Sequence, residues 1–162
     1  MDGAILLQEC NVSHMRFLLD KIEPLKIAWN QRPLDEADFQ RICRRLHITV
    51  QEMPLRVGGF YYRLRGRDYI AVDSRLSGTA KLLVQFHELA HCLFHTPESG
   101  ATANFHGVGR KNRQEHEADL FAVCALIPRA MLEDRSTSDL IDEGISPEML
   151  ADRLKIFNDH GI

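Results

Sequence analysis

The chain has 162 residues, enough for one domain with its own hydrophobic core. At 44% hydrophobic and 27% charged residues it reads as an ordinary globular protein, which excludes the disordered and fibrous classes. A net charge of −3 gives no general drive toward nucleic acid or anionic membrane, and the four cysteines (Cys10, Cys43, Cys92, Cys124) lack CxxC spacing, so neither a disulfide framework nor a cysteine zinc site is expected.

The N-terminal run MDGAILLQECNV has no basic segment followed by a long apolar one, so it is a poor signal peptide. No apolar run approaches the roughly 18 residues that span a bilayer. These features point to a cytoplasmic protein. Ser13 is placed to cap a first helix carrying Met15, Leu18, Leu19 and Ile22, which Pro24 interrupts. A second helix runs from Asp35 to Leu46, with Phe39, Ile42, Cys43 and Leu46 at helical spacing against Glu36, Arg41, Arg44 and Arg45. Ile48-Thr49-Val50 is a short β-branched run. Gly59 to Leu64 and Tyr69 to Val72 flank the turn-like Arg65-Gly66-Arg67-Asp68, which predicts a hairpin.

Thr79 is placed to cap a helix from Ala80 to about Phe94, ending near Thr96-Pro97. Glu98 to Lys111 holds three glycines and no clean period, and reads as a loop. Its stretch from Gly100 to Gly109 is long enough for a lid or a binding loop. A helix from Asn112 to Leu126 follows, stopped by Pro128, which opens a short helix through Leu132. Ser146-Pro147 begins the last helix, to about Asn158. There is no internal repeat and no low-complexity segment.

The chemistry is concentrated in His87-Glu88-Leu89-Ala90-His91. Two histidines four apart on a helix project from one face, one turn apart, and can offer two nitrogens to one zinc ion at about 2.0–2.1 Å. Glu88 is rotated about 100° from His87, beside the metal rather than on it, where it can hold the attacking water. Leu82, Phe86, Leu89 and Leu93 give the same helix a core face, with the histidines at its border.

Two histidines leave a zinc site incomplete. The later helix offers Glu115, with Asp119 four residues on and on the same face. That spacing lets Glu115 bind the metal while Asp119 accepts a hydrogen bond from the outer nitrogen of a ligating histidine. Glu117 is a weaker candidate, and His116 would replace Glu115 only by removing the role of Asp119. Ala118 and Ala122, on or near that face, allow the two helices to approach closely. Such a pentapeptide arises by chance, and its bland reading is a solvated helix face. The pairing with a Glu-x-x-x-Asp helix is what raises it to a candidate metal site.

His87 to His95 (HELAHCLFH) followed by Glu115 to Leu132 (EHEADLFAVCALIPRAML) resembles the ImmA/IrrE-type zinc metallopeptidases of bacteria and their phages. Glu115, Ala118, Asp119, Phe121, Ala122 and Pro128 occupy the places of the family's second helix, and Tyr69 to Asp73 fits its preceding strand. The resemblance covers about Ile48 to Leu132. It departs at Ile127-Pro128, where relatives carry Leu-Met-Pro, and in lacking a convincing helix-turn-helix. That second departure removes direct nucleic-acid binding from the reading.

The resemblance implies a zincin-like minimal metallopeptidase of the α+β class, here a single domain over residues 1–162. It would have a small sheet of about three strands, the two site helices against it, and helices at both ends. It also implies a gluzincin-like site with His87, His91 and Glu115 as ligands, Glu88 as catalytic base and Asp119 behind a ligand. The expected cofactor is Zn²⁺, with Mn²⁺ or Fe²⁺ able to use the same ligands. The expected substrate is a peptide bond in a regulatory protein such as a transcriptional repressor. The competing expectation is a non-catalytic or latent zincin-fold module that binds a repressor or a toxin–antitoxin component. His95, His106, Arg110, Arg113 and Tyr69 are open candidates for stabilising the oxyanion.

Overall fold

The computed structural model describes residues 15–95, 102–103 and 113–162. Helix α1 covers residues 15–22 and runs into a single 3-10 turn, Glu23–Leu25, started by Pro24. Met15, Leu18 and Ile22 are buried, but Leu19 is exposed and does not share their face, contrary to the sequence expectation. Ser13, the expected cap, lies outside the described residues. Helix α2 is Glu36–Arg45. Asp35 caps it in a closed capping box, in which Asp38 answers the Asp35 backbone N–H.

Three strands follow: β1, Thr49–Met53; β2, Gly59–Leu64; and β3, Arg67–Asp73. The hairpin is where the alternation placed it. Its turn, Arg65-Gly66, has φ of 51° and 75°, the paired left-handed geometry that suits a two-residue hairpin. β3 lies in the middle, with β2 antiparallel on one side and β1 parallel on the other. The link from β1 to β2 therefore crosses the end of β3. Asp73 pins it there, its backbone N–H donating to Gly58 O at 2.8 Å and its carboxylate accepting from Leu55 N at 3.3 Å.

Helix α3, Gly78–Phe94, starts two residues earlier than expected. Its N-cap position is Ser77, without a side-chain cap, so Thr79 sits inside the first turn rather than before it. Within the stretch expected to be a loop, Thr102–Ala103 forms a two-residue strand, β4, paired with Tyr62 and Arg63 of β2. The rest of the expected lid, residues 100–101 and 104–109, lies outside the described residues. Helix α4 is Arg113–Leu126, and Pro128 is the N-cap residue of α5, Arg129–Asp134. Helix α6, Thr137–Asp142, was not anticipated from the sequence. It is short, has one buried side chain, Leu140, and so carries no readable period. Helix α7, Pro147–His160, begins at Ser146-Pro147 as expected, with the Ser146 side chain accepting from Met149 N.

The architecture is α+β, as read from the sequence, with three principal strands and helices on either side of them in the chain. α3 packs on β2 and β3, α4 packs on α3, and α7 packs on α4. Ala118 and Ala122 are fully buried in the α3–α4 contact, where only small side chains let the backbones close up. A run of aromatic rings holds the layers in register: Phe39 edge-on to Phe86 at 5.8 Å, and Phe94 edge-on to Phe121 at 5.5 Å. Trp29 stacks on Phe121 at 5.8 Å and its indole N–H donates to Phe121 O at 2.9 Å. Close by, Leu34 N–H donates to Ala125 O at 2.8 Å, and Asn30 Oδ1 accepts from Arg129 N and from the buried Arg153 guanidinium. The segment 29–34 is thus laced to α4, the start of α5 and α7. No helix among the described residues is long and apolar enough to cross a membrane.

Candidate metal centre

α3 and α4 bring together the residues that the sequence paired. His87 Nε2 lies 3.1 Å from His91 Nε2, and Glu115 reaches to 3.4 Å from the first and 3.3 Å from the second. A tetrahedral ion with bonds of about 2.0–2.1 Å separates its ligand atoms by about 3.3–3.4 Å. The two histidine nitrogens lie within a few tenths of an ångström of that edge, and Glu115 faces them with both oxygens, Oε2 toward His87 and Oε1 toward His91.

The hydrogen bonding around the cluster argues in the same direction. Asp119 Oδ1 lies 2.9 Å from His87 Nδ1. An ionised carboxylate only accepts, so the His87 proton sits on Nδ1 and its Nε2 lone pair faces inward, toward a second nitrogen and a carboxylate. His91 Nε2 and the Glu115 carboxylate face the same point, so three potential donor atoms gather there. His87, His91 and Glu115 therefore fit a divalent metal, and their mixed nitrogen and oxygen donors are of the kind that zinc accepts.

Glu88, one residue along the helix, is not one of the clustered ligand atoms and lies against Gly59 of β2. It is 3% exposed, and its Oε2 has no hydrogen-bond partner among the described residues. Burial pushes its carboxyl up to about 7, against the pull of His87 and of a bond from the Tyr61 backbone N–H. Gly58 and Gly59 make room for this. A Cβ on Gly59 would meet Val84 Cγ1 at 2.7 Å, Ala71 O at 2.8 Å and Glu88 Cγ at 3.4 Å. Beside Glu88 and His87 opens a pocket of about 600 Å³, walled by apolar side chains of the β1–β2 link and of α3, notably Leu55, Val57, Leu83 and Val84.

The helix buries more of its polar face than expected. His91 is 1% exposed and sits inside the core rather than at its border. Its Nδ1 meets His95 Nδ1 at 3.0 Å; His95 Nε2 meets Glu117 Oε2 at 2.6 Å; and Arg113 Nε donates to Glu117 Oε1 at 2.9 Å. From the sequence Glu117 is only a weaker ligand candidate and His95 only one of several open candidates for stabilising the oxyanion. The stripe 87, 91 and 95 at four-residue spacing is visible in the sequence, but nothing within either helix predicts that His95 meets Glu117. Among the other candidates, His116 is exposed and not part of the cluster. Tyr69 stacks on Tyr62 at 4.8 Å. His106 and Arg110 lie outside the described residues. No disulfide links Cys43, Cys92 or Cys124, and all three are buried.

The sequence matches the family described as the IrrE N-terminal-like domain, a peptidase family, over residues 43–156. The matched span includes both α3 and α4. No curated protein and no solved structure matches the chain.

Proposed function

The chain belongs to the IrrE N-terminal-like peptidase family, and from that premise we propose that it is a zinc-dependent metalloendopeptidase that cuts a peptide bond in a regulatory protein such as a transcriptional repressor. The observation that carries the metal part of this reading is the convergence of His87, His91 and Glu115, whose ligand atoms lie close enough together to share one ion. Zinc at that position supplies Lewis-acid polarisation of the scissile carbonyl and acidifies the attacking water. Glu88 is the general base. Its buried carboxylate takes the proton of the attacking water and hands it to the departing amine. Asp119 holds the His87 ring with Nε2 turned inward. The neighbouring apolar pocket is large enough for one substrate side chain next to the scissile bond.

The test is cleavage of a co-encoded repressor by the zinc-loaded protein, followed by gel and mass spectrometry, beside the Glu88→Gln variant. The expected result is chelator-sensitive cleavage at one bond by the wild type and none by the variant, which still binds zinc. Tight binding of the repressor without cleavage by the wild type would replace the enzyme with a binding module.

A further inference from the structure

We propose that His95 and Glu117, anchored by Arg113, form a hydrogen-bonded relay that sets the tautomer of His91 and so aims its Nε2 at the metal position. The proposal rests on the metal-site reading above. Its direction, however, follows from the outer end of the chain inward and needs no ion. Glu117 Oε1 accepts from the Arg113 guanidinium at 2.9 Å, and a carboxylate paired with a guanidinium has no proton to give. At 2.6 Å from Glu117 Oε2, His95 Nε2 must therefore carry the proton. Neutral imidazole has one N–H, which leaves His95 Nδ1 as an acceptor. His91 Nδ1, 3.0 Å away, is then the donor. A neutral His91 protonated on Nδ1 has its remaining lone pair on Nε2, the atom that faces His87 and Glu115.

The two ligating histidines are thus oriented by different means. His87 leans on Asp119, whose side chain is 55% exposed. His91 leans on a relay in which the His95 and Glu117 side chains are each 4% exposed. Water competes for the first contact and is kept from the second, so the buried relay is the stiffer support. In the opposite tautomer His91 Nε2–H would donate to the His87 lone pair across 3.1 Å and leave no lone pair for a metal, so the relay is what selects the ligating form. His95 and Glu117 are positioning residues: they act through His91 and are not metal ligands.

The proposal is tested on the full chain in two steps. First, long-range ¹⁵N–¹H spectra of the histidine side chains are recorded on the metal-free protein at about pH 8, above the ordinary histidine range. His91 is expected as the Nδ1–H tautomer and His95 as the Nε2–H tautomer. Second, zinc affinity is measured by competition with a chromophoric chelator for His95→Leu and His95→Gln. The Leu variant is expected to bind zinc about 10–100-fold more weakly, the usual cost of losing a partner behind a ligand. The Gln variant, whose amide oxygen can accept from His91, is expected to recover much of that loss. The opposite tautomers, or a Leu variant that binds zinc as well as the Gln variant, would overturn the relay. A role in packing alone predicts that second result. If the wild type takes up no zinc while the tautomers are as stated, the metallopeptidase reading fails and the relay stands.

Discussion

Gly59 and Val84 touch in a way that only a glycine allows: a Cβ at position 59 would lie 2.7 Å from Val84 Cγ1. The contact lets β2 lie close against α3, one helical turn before Glu88. Substituting Gly59→Ala forces either the strand or the helix to move, since Ala71 O blocks the other direction at 2.8 Å. Overpacking of this kind costs about 1–3 kcal/mol, so the urea midpoint should fall. Activity should fall further than stability accounts for, because Glu88 shifts with the helix. An alanine variant with unchanged midpoint and turnover would show that the close approach has no consequence.

Glu115→Ala should remove one of three donors and with it stoichiometric zinc after gel filtration, measured by metal analysis. His116→Ala is the internal control, being exposed and outside the cluster. Full zinc content in the Glu115 variant would move the third ligand to another residue.

Asp119→Ala should weaken zinc binding by about 10–100-fold without unfolding the protein. The side chain is more than half exposed and its loss leaves no cavity. Equal affinity for the variant and the wild type, in chelator competition, would show that His87 is oriented without it.

Asp38 should make the fold acid-sensitive. It accepts from Arg32 at 2.6 and 2.8 Å, from Arg41, and from the Asp35 backbone N–H in the capping box of α2. The Arg32 hydrogen bonds, acting against the cost of burial, hold its carboxyl well below the usual carboxylate range. A depressed folded-state pKa contributes stability that is present above the unfolded value, about 3.9, and is lost as pH falls toward the folded one. Unfolding midpoints should therefore drop below about pH 4 in the wild type, and less steeply in Asp38→Asn, which should be the less stable protein at neutral pH. Parallel pH profiles for the two would assign the acid sensitivity elsewhere.

Local signals located most of the elements. The cap and period of α2, the alternation around Arg65-Gly66 and the Ser-Pro start of α7 each act over a few residues and can be read without knowing the fold. The same holds for the candidate site, because His87, His91, Glu115 and Asp119 are each specified by spacing within one helix. What stayed hidden depends on how the helices meet. His95 and Glu117 belong to separate elements, and no period within either predicts that their side chains will be enclosed together. The parallel pairing of β1 with β3 is equally illegible, since strand order is a property of the crossing link and not of either strand. α6 is illegible because one buried leucine makes no pattern, and Thr79 falls inside the first turn of α3 because Ser77, two residues before it, is the N-cap residue without any side-chain hydrogen bond.

The lacing of residues 29–34 to α4 and α7 bears on where the chain can be cut. The shared family pattern begins at residue 43, yet Trp29 and Leu34 are both buried, and the segment's bonds reach Phe121, Ala125, Arg129 and Arg153. A fragment trimmed to the shared span would bare one face of Phe121 and leave two α4 carbonyls and the Arg153 guanidinium short of partners. The border of what relatives have in common is not the border of what holds itself together, and any swap of segments between relatives has to carry this strap along with the helices it binds.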